Sequence, residues 1–480
     1  MRNFHRKLTW MIGLICYAAG VAHAQCVDTN TCFGMGALQS NTTGEFNSAF
    51  GVEALTNNTT GLFNTAVGYW ALHANTSGFQ NTANGAHALQ SNTTGFDNTA
   101  TGHQALFNNS SGKRNTADGE LALFENTTGS GNTASGHRTL FANRTGEANT
   151  AIGGGAMEGN SSGDFNTASG WSALLYHDGS FNTAYGAYAL YGNSIHSEGG
   201  SQNTAAGAYA LYGNFGSRNT AVGYRAMLGT EEVLGSALVI VTGSDNTAIG
   251  MNALFNLTTG NGNTATGLNA LYGNTTGIQN TANGVGALKN NSSGVRNTAF
   301  GYQSGFAVTG SDNITIGAGN QGKAAENGVI RIGVAANQKK AFLAGIRGVT
   351  TGLANATAVY IDSNGQLGTK KSSREVKKDI RPIGNVSDRL MSLRPVAFKY
   401  KTAYEDGSKP IEFGLIAEEV EEVFPELVVY DQQGKPETVR YDLLATLLVN
   451  ELQLERARMN SQERRIEALE EQIAMLSRTN

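Results

Sequence analysis

The chain has 480 residues, of which 62 are glycine and only 5 are proline, and 15% of them are charged. The formal net charge of −4 gives no electrostatic reason to expect nucleic acid or an anionic membrane surface as a partner. Because 40% of the residues are hydrophobic, the composition also excludes a disordered chain and predicts a folded core.

The first 24 residues have the pattern of a secretory signal peptide. A basic start is followed by an apolar stretch over residues 8–21 and by the small-residue pattern Ala-His-Ala at residues 22–24. The apolar stretch is too short for a membrane-spanning helix. The sequence therefore predicts cleavage before Gln25 and a secreted or cell-surface protein without a transmembrane anchor.

All three cysteines lie near the N-terminus. Cys16 belongs to the predicted signal peptide, which leaves Cys26 and Cys32 in the exported chain. Their spacing matches no familiar metal motif, and no histidine cluster accompanies them, so the sequence predicts neither a metal nor another cofactor. Export to an oxidising compartment favours a disulfide between Cys26 and Cys32, and the alternative is two unpaired thiols.

A repeat of seventeen residues begins near Asn30 and occupies most of the chain. The clearest unit reads Asn-Thr-Ala-x-Gly-x-x-Ala-Leu-x-x-Asn-Thr-Thr-Gly-x-x. Its first asparagine recurs at a spacing of seventeen from Asn47 to Asn166, and further units continue to Asn297. A short fixed period of this kind is typical of a solenoid, in which each unit stacks on its neighbours.

Each unit has room for two short strands and two turns. The alternation in Asn-Thr-Ala-x-Gly is that of a strand, and the Ala-Leu pair adds the larger apolar contribution to the core. Asn-Thr-Thr-Gly is turn chemistry, because glycine and asparagine tolerate positive φ. His73, His87, His103 and His137 occupy differing positions in their units, so we expect them to be solvated and to hold no metal.

The repeat resembles the head of the trimeric autotransporter adhesins, the YadA-like head. The resemblance rests on the Ala-x-Gly cadence and covers about residues 30–320. It implies a left-handed parallel β-roll in which three chains pack side by side, and we assign residues 25–320 to such a head.

Two units are longer than the others, because Asn203 and Asn246 follow the preceding leading asparagine by 21 and 27 residues. In a solenoid, extra residues loop out on one face, which is often the binding face. The alternative is drift in a tolerant loop. The sequence does not identify the glycan or protein surface that such a face would bind.

Residues 321–371 are predicted to be a β-rich transition, with a hairpin over residues 359–368. All five prolines follow, between Pro382 and Pro436, and the density of charge rises with them. This change of composition predicts a separate domain over residues 372–480.

The last domain is predicted to end in a long helix over about residues 441–476. Leu452, Met459, Ile466 and Ile473 recur every seven residues along it. A heptad repeat with charged flanks predicts a coiled coil between copies of the chain, and the alternative is a single helix packed on its own domain.

Residues 372 to about 476 resemble the self-cleaving intramolecular chaperone of phage endosialidases and tail fibres, a serine peptidase family. The landmarks in chain order are Ser372-Ser-Arg-Glu-Val-Lys377, Leu393-Arg-Pro395, Phe413-Gly-Leu-Ile-Ala-Glu-Glu-Val420, Pro425-Glu-Leu-Val428 and Tyr441-Asp-Leu-Leu444. The resemblance implies a domain that trimerises, promotes folding of the preceding β-rich fibre and then cuts the chain. Carried over, Ser372 is the nucleophile, Lys377 is the general base, and the cut falls between Lys371 and Ser372.

The chemistry of such a pair is coherent. A serine hydroxyl needs a base to take its proton, and a lysine serves when removal from water favours its neutral form. Ser373 and Lys378 have the same five-residue spacing, although alignment through Ile380 favours Ser372. A simpler interpretation is that the two serines cap a helix and that the lysines are solvated.

The sequence thus predicts a mainly β fold: a left-handed, trimeric parallel β-roll solenoid with a C-terminal α+β chaperone domain that ends in a coiled-coil helix. The predicted function is that of an exported, adhesin-like homotrimeric fibre whose chaperone removes itself by a single cut, with no external substrate. Two alternatives are a phage or prophage tail fibre, against which the signal peptide argues, and a hydrolase carried on the solenoid, for which the repeats show no constellation of carboxylates or histidines.

Overall fold

The computed structural model describes residue 26 and residues 29–192, 199–229, 241–334, 336–431 and 433–478. The predicted signal peptide lies outside these residues, and so do many of the extra residues of the two long repeat units. The chain divides into two compact units, residues 1–340 and 341–480.

The first unit is a parallel β-solenoid with one three-residue strand in each coil. Among the described residues these strands, β1–β18, are Thr31–Phe33, Ser48–Phe50, Thr65–Val67, Thr82–Asn84, Thr99–Thr101, Thr116–Asp118, Thr133–Ser135, Thr150–Ile152, Thr167–Ser169, Thr183–Tyr185, Thr204–Ala206, Thr220–Val222, Thr247–Ile249, Thr264–Thr266, Thr281–Asn283, Thr298–Phe300, Ile314–Ile316 and Ile330–Ile332. Each strand pairs in parallel with the next, and the register places Thr65 beside Thr82 and Ala66 beside Ala83. The mainly β fold with a parallel solenoid is confirmed.

The expectation of two strands in each coil is wrong, because the Ala-Leu half of the coil runs through turns. Ala66, Ala71 and Leu72 of one coil are fully buried and repeat in the coils above and below. Leu72 has a φ of 50°, which costs a residue other than glycine about 1–2 kcal/mol. Burial of its side chain, worth about 1.5–3 kcal/mol, and a 3.0 Å hydrogen bond from its N–H to the carbonyl of Ala88 offset this cost.

The glycines of the Asn-Thr-Thr-Gly turns have a different role from the expected one. Gly78 does not take positive φ, and a Cβ atom there would lie 2.4 Å from the carbonyl oxygen of Gly95 in the next coil. Glycine is needed at this position because the backbones of adjacent coils approach closely. Positive φ falls instead on residues such as Phe63 and Leu72 and on the glycine after each strand, as in Gly68.

Two ladders of buried asparagines connect the coils. In the first, the Oδ1 atom of Asn64 accepts the N–H of Asn81 at 3.0 Å, and its Nδ2 atom donates to the carbonyl of Gly78 at 2.8 Å. In the second, Asn58 donates to Oδ1 of Asn41 and accepts from Nδ2 of Asn75, each at 2.8 Å. The ladders give partners to amide groups that would otherwise be buried without one.

The second unit is α+β. Its strands β19–β24 form three antiparallel pairs and, in chain order, are Tyr360–Ile361, Leu367–Gly368, Val396–Phe398, Glu412–Gly414, Val428–Tyr430 and Pro436–Val439. The helices are α1 (Ala417–Val423) and α2 (Tyr441–Arg478), and short 3₁₀ helices cover Arg374–Val376, Gly384–Ser392 and Pro425–Leu427.

A small core holds the second unit together. It includes Val420 and Phe424 from the region of α1 and Val439 from β24, and Leu443 and Leu447 of α2 pack against it. The heptad residues farther along α2 are exposed, with 54–68% of their surface open. In the described ranges, no helix combines the length and apolar character needed to span a bilayer.

Candidate functional site

Ser372 and Lys377 lie side by side in the second unit. The residues between them include the 3₁₀ turn Arg374–Val376, which shortens the chain so that Nζ of Lys377 donates to Oγ of Ser372 at 2.9 Å. The structure therefore places the two residues to which the resemblance gives the roles of nucleophile and base within hydrogen-bond reach of each other.

Ser373 has a different role from that of Ser372. Its hydroxyl oxygen accepts the N–H of Glu375 at 3.3 Å and so caps the 3₁₀ turn. Among the described residues, no hydrogen bond joins Ser373 to Lys378. The capping interpretation thus fits Ser373, and the cap supports the turn that directs Lys377 toward Ser372.

The Ser372–Lys377 pair is exposed to solvent. In the observed contact the ammonium group donates to the hydroxyl, whereas a lysine that takes the serine proton has to be a neutral amine. Removal from water favours the neutral amine, since desolvation penalises the charged form. The single chain already has the Ser372–Lys377 contact. A catalytic state would also need the pair to be buried.

The chain just before the Lys371–Ser372 bond is held by Lys370. Its Nζ atom lies 2.6 Å from Oδ2 of Asp442 and 4.2 Å from the centre of the Tyr360 ring. Asp442 is the second residue of α2, and the hydroxyl of Tyr441 accepts the N–H of Leu415 at 2.9 Å, which ties the start of this helix to the end of β22. The Lys370 ammonium group is the main reason why the pKa of Asp442 is below its ordinary value.

Sequence reasoning missed Lys370 and Asp442. Asp442 is part of the landmark Tyr441-Asp-Leu-Leu444, but nothing in that motif indicates a role for its carboxylate. The two residues are 72 positions apart, so no local spacing pattern signals their contact.

A family model described as chaperone of endosialidase matches residues 372–429. The match starts at the candidate nucleophile and includes the pair with Lys377, so the resemblance of this chaperone segment to that family is confirmed. The match does not extend to the solenoid, whose likeness to YadA-like heads stays a resemblance. No curated protein and no solved structure matched the chain in the corresponding comparisons.

Outside the chaperone segment, Cys26 and Cys32 are joined by a disulfide, with their Cα atoms 5.7 Å apart. Cys32 is the middle residue of β1, in register with Ala49 of β2, and packs against the end of the solenoid core. The bridge therefore connects the residues before the first coil to that coil. Its formation in the exported chain stays a prediction.

The expectation that the repeat histidines are solvated is wrong for two of them. His73 and His87 are half-buried, and their rings lie 4.8 Å and 5.8 Å from that of Trp70. The expectation fails because His73 stacks on Trp70 within one coil, and His87 contacts the same ring from the next coil. His103 and His137 are exposed. The described part of the chain contains no group of three or more His, Cys, Asp or Glu residues that could hold a metal ion.

Proposed function

We propose that this chain is an exported trimeric fibre whose intramolecular chaperone separates itself by a cut between Lys371 and Ser372. The parallel solenoid and the chaperone match fit a fibre-like protein that carries its own chaperone. The cut rests on one observation, the 2.9 Å contact between Nζ of Lys377 and Oγ of Ser372 at the first residue of the family match.

Exposed apolar residues on α2 support the assembly of three copies. Leu452, Met459 and Ile466 recur at heptad spacing on a helix of 38 residues and are more than half exposed in the single chain. Three such helices side by side would remove these side chains from water, at about 25 cal/mol for each Å² buried. A trimer is also what the match to the chaperone family implies.

The proposed cut is an intramolecular acyl transfer followed by hydrolysis. The neutral amine of Lys377 takes the hydroxyl proton of Ser372, and Oγ attacks the carbonyl carbon of Lys371. The C–N bond breaks as an ester forms on Oγ, and the proton passes from Lys377 to the nitrogen of Ser372. Water then hydrolyses the ester, which leaves a carboxylate on Lys371 and restores the hydroxyl.

Proximity accounts for much of the rate of such a cut, because nucleophile and target are adjacent residues of one chain. The exposed Lys377 becomes an effective base once the neighbouring copies bury it and favour the neutral amine. This requirement places assembly before cleavage, so that the chaperone remains attached until the fibre has formed.

The proposed cut is tested by expressing the full chain and measuring the mass of the products. Wild-type protein should yield a fragment that starts at Ser372, whereas Ser372→Ala and Lys377→Met should remain full length because each lacks one member of the pair. Ser373→Ala keeps both members of the pair and loses only the cap of the 3₁₀ turn, so this matched control should still be cleaved, at a reduced rate. Assembled wild-type protein that stays full length, or a cut that Ser373→Ala abolishes and Ser372→Ala does not, would contradict the proposal.

A phage or prophage tail fibre is a second candidate function, favoured by the match to a chaperone of endosialidase. The two candidates differ in the fate of residues 1–24, which are removed in an exported, adhesive fibre and kept in a tail fibre assembled in the cytoplasm. N-terminal sequencing of the protein from its native cells distinguishes them, since export predicts a first residue of Gln25.

A further inference from the structure

The Lys371–Ser372 bond lies between two anchored segments of the second unit. On its C-terminal side, the Ser373 cap and the contact of Lys377 with Ser372 fix the chain. On its N-terminal side, Lys370 is held between the Tyr360 ring of the β19–β20 hairpin and the carboxylate of Asp442. Consecutive Cα atoms are only about 3.8 Å apart, so an anchor at Lys370 restricts where the carbonyl group of Lys371 can be.

Asp442 is suited to act as the fixed end of this anchor. It lies in the first turn of α2, where a carboxylate is favoured by the helix dipole. The adjacent Tyr441 is bonded to the backbone of Leu415, and the following leucines of α2 pack against the core of the unit. Three-quarters of the Asp442 side chain is covered, compared with about half of that of Lys370.

We propose that Asp442 is a positioning residue for the cut, which acts through Lys370 to hold the carbonyl of Lys371 in front of Ser372. This inference rests on the proposed function, since it concerns the same bond. Asp442 touches none of the reacting atoms. It restricts the orientation of the bond that the Ser372 hydroxyl attacks, and small losses of alignment at a reacting centre lower the rate.

Under this proposal, the lysines close to the bond have different roles. Lys370 positions the chain, Lys371 provides the carbonyl group, and Lys377 takes the proton. The requirement at position 370 is a positive charge that reaches Asp442 and contacts the Tyr360 ring, which arginine also meets.

The test follows cleavage of the full chain over time during cell-free synthesis at low ionic strength. Asp442→Asn and Lys370→Met should slow the cut by about two- to fivefold, the size expected for loss of one partly exposed ion pair. Lys370→Arg should cleave at close to the wild-type rate, because it keeps the positive charge that reaches Asp442 and the Tyr360 ring. At about 1 M salt, wild type and Asp442→Asn should converge, because salt screens the pair.

Glu426→Gln is the matched control, because it removes another ion pair of the same unit, with Arg389 at 3.0 Å. It should leave the rate unchanged. Assembly of each variant is measured by crosslinking in a Ser372→Ala background, so that a folding defect is recognised. The inference is overturned if Asp442→Asn assembles and cleaves at the wild-type rate, if Lys370→Arg loses as much of the rate as Lys370→Met, or if Glu426→Gln slows the cut equally. Wild-type protein that assembles without cleavage overturns the proposed function itself.

Discussion

His177 occupies a ladder position that asparagine takes in the preceding coils. Asn143 and Asn160 donate their Nδ2 atoms to the asparagine one coil earlier, at 2.8 Å and 3.0 Å. One coil later, the fully buried imidazole of His177 takes the place of the asparagine amide. Burial lowers the pKa of His177 to about 4, against a smaller opposing effect of the backbone of Asn214. The solenoid therefore contains a group that folding keeps neutral.

This histidine should make the stability of the solenoid depend on pH. The unfolded chain binds a proton at His177 near pH 6.5, whereas the folded chain does so only near pH 4. Stability contributed by the neutral form is thus complete above pH 6.5 and is lost as the pH falls toward 4, by about 3 kcal/mol in total.

The measurement is the melting temperature of wild type and His177→Asn at pH 7.5 and pH 4.5. Carboxylates titrate in the same range in both proteins, so the difference between the two pH responses isolates His177. We expect the melting temperature of His177→Asn to fall less on acidification. Equal decreases would show that His177 takes up its proton without cost in the folded state.

At the scale of single residues, the sequence predicted contacts that are local and missed those that are distant. The five-residue spacing of Ser372 and Lys377, together with the resemblance, predicted the pair that the structure shows at 2.9 Å. The Lys370–Asp442 contact joins residues far apart in the chain, and its formation depends on where α2 begins. Positive φ at Leu72 was also missed, because intrinsic preference gives no reason to expect leucine there.

At the scale of the coil, the asparagine ladders provide a specific source of stability. Asn58 gives partners to the carbonyl of Gly61 and to Asn75 in the buried interior, and to the partly buried Asn41. Truncation of this side chain leaves several buried polar groups without a partner, and each such group costs about 1–3 kcal/mol.

The neighbouring residue Asn57 provides a matched comparison, because it is exposed while Asn58 is fully buried. Asn58→Ala should lower the free energy of unfolding by about 2–4 kcal/mol, and Asn57→Ala by less than about 0.5 kcal/mol. Denaturant unfolding in the Ser372→Ala background measures both variants, because the retained module allows the chain to refold and the unfolding equilibrium to be reached. Similar losses for the two substitutions would show that the ladder contributes little.

The period of the repeat was sufficient to predict one coil for each seventeen residues and the inward alanines and leucines. It was not sufficient to predict the conformation of the Ala-Leu half, which the sequence suggested to be a second strand. There the N–H of Leu72 bonds to the next coil while its backbone is left-handed, so the coils are connected without a regular strand. This arrangement depends on the adjacent coil, which a single repeat unit does not reveal.

At the scale of the whole molecule, the regularity of the solenoid creates a problem that a C-terminal chaperone would solve. Successive coils present nearly identical residues, such as Thr82-Ala83 and Thr99-Ala100, at identical register positions. When three such chains pack together, one of them can be shifted by one coil with little loss of contact, because the shifted coils present nearly the same residues. An assembly of the α2 helices that forms first would align the three chains at a common position before the coils pack together.

Removal of the module after assembly should leave a fibre that resists unfolding but does not refold. The information that aligns the chains is then absent, so the stability of the processed fibre becomes kinetic. Ser372→Ala retains the module and should regain its trimer after unfolding in denaturant and dilution, whereas processed wild type should recover several-fold less.

Crosslinking and far-UV circular dichroism of the refolded samples measure this difference. The control is processed wild type refolded together with separately added module, which tests the need for covalent attachment. If alignment depends on the attached helices, the added module restores little, because it is not connected to the chains that it has to align. Equal recovery of processed wild type and Ser372→Ala would mean that the coils find their register unaided, and the role of the chaperone would then lie in the rate of the first assembly.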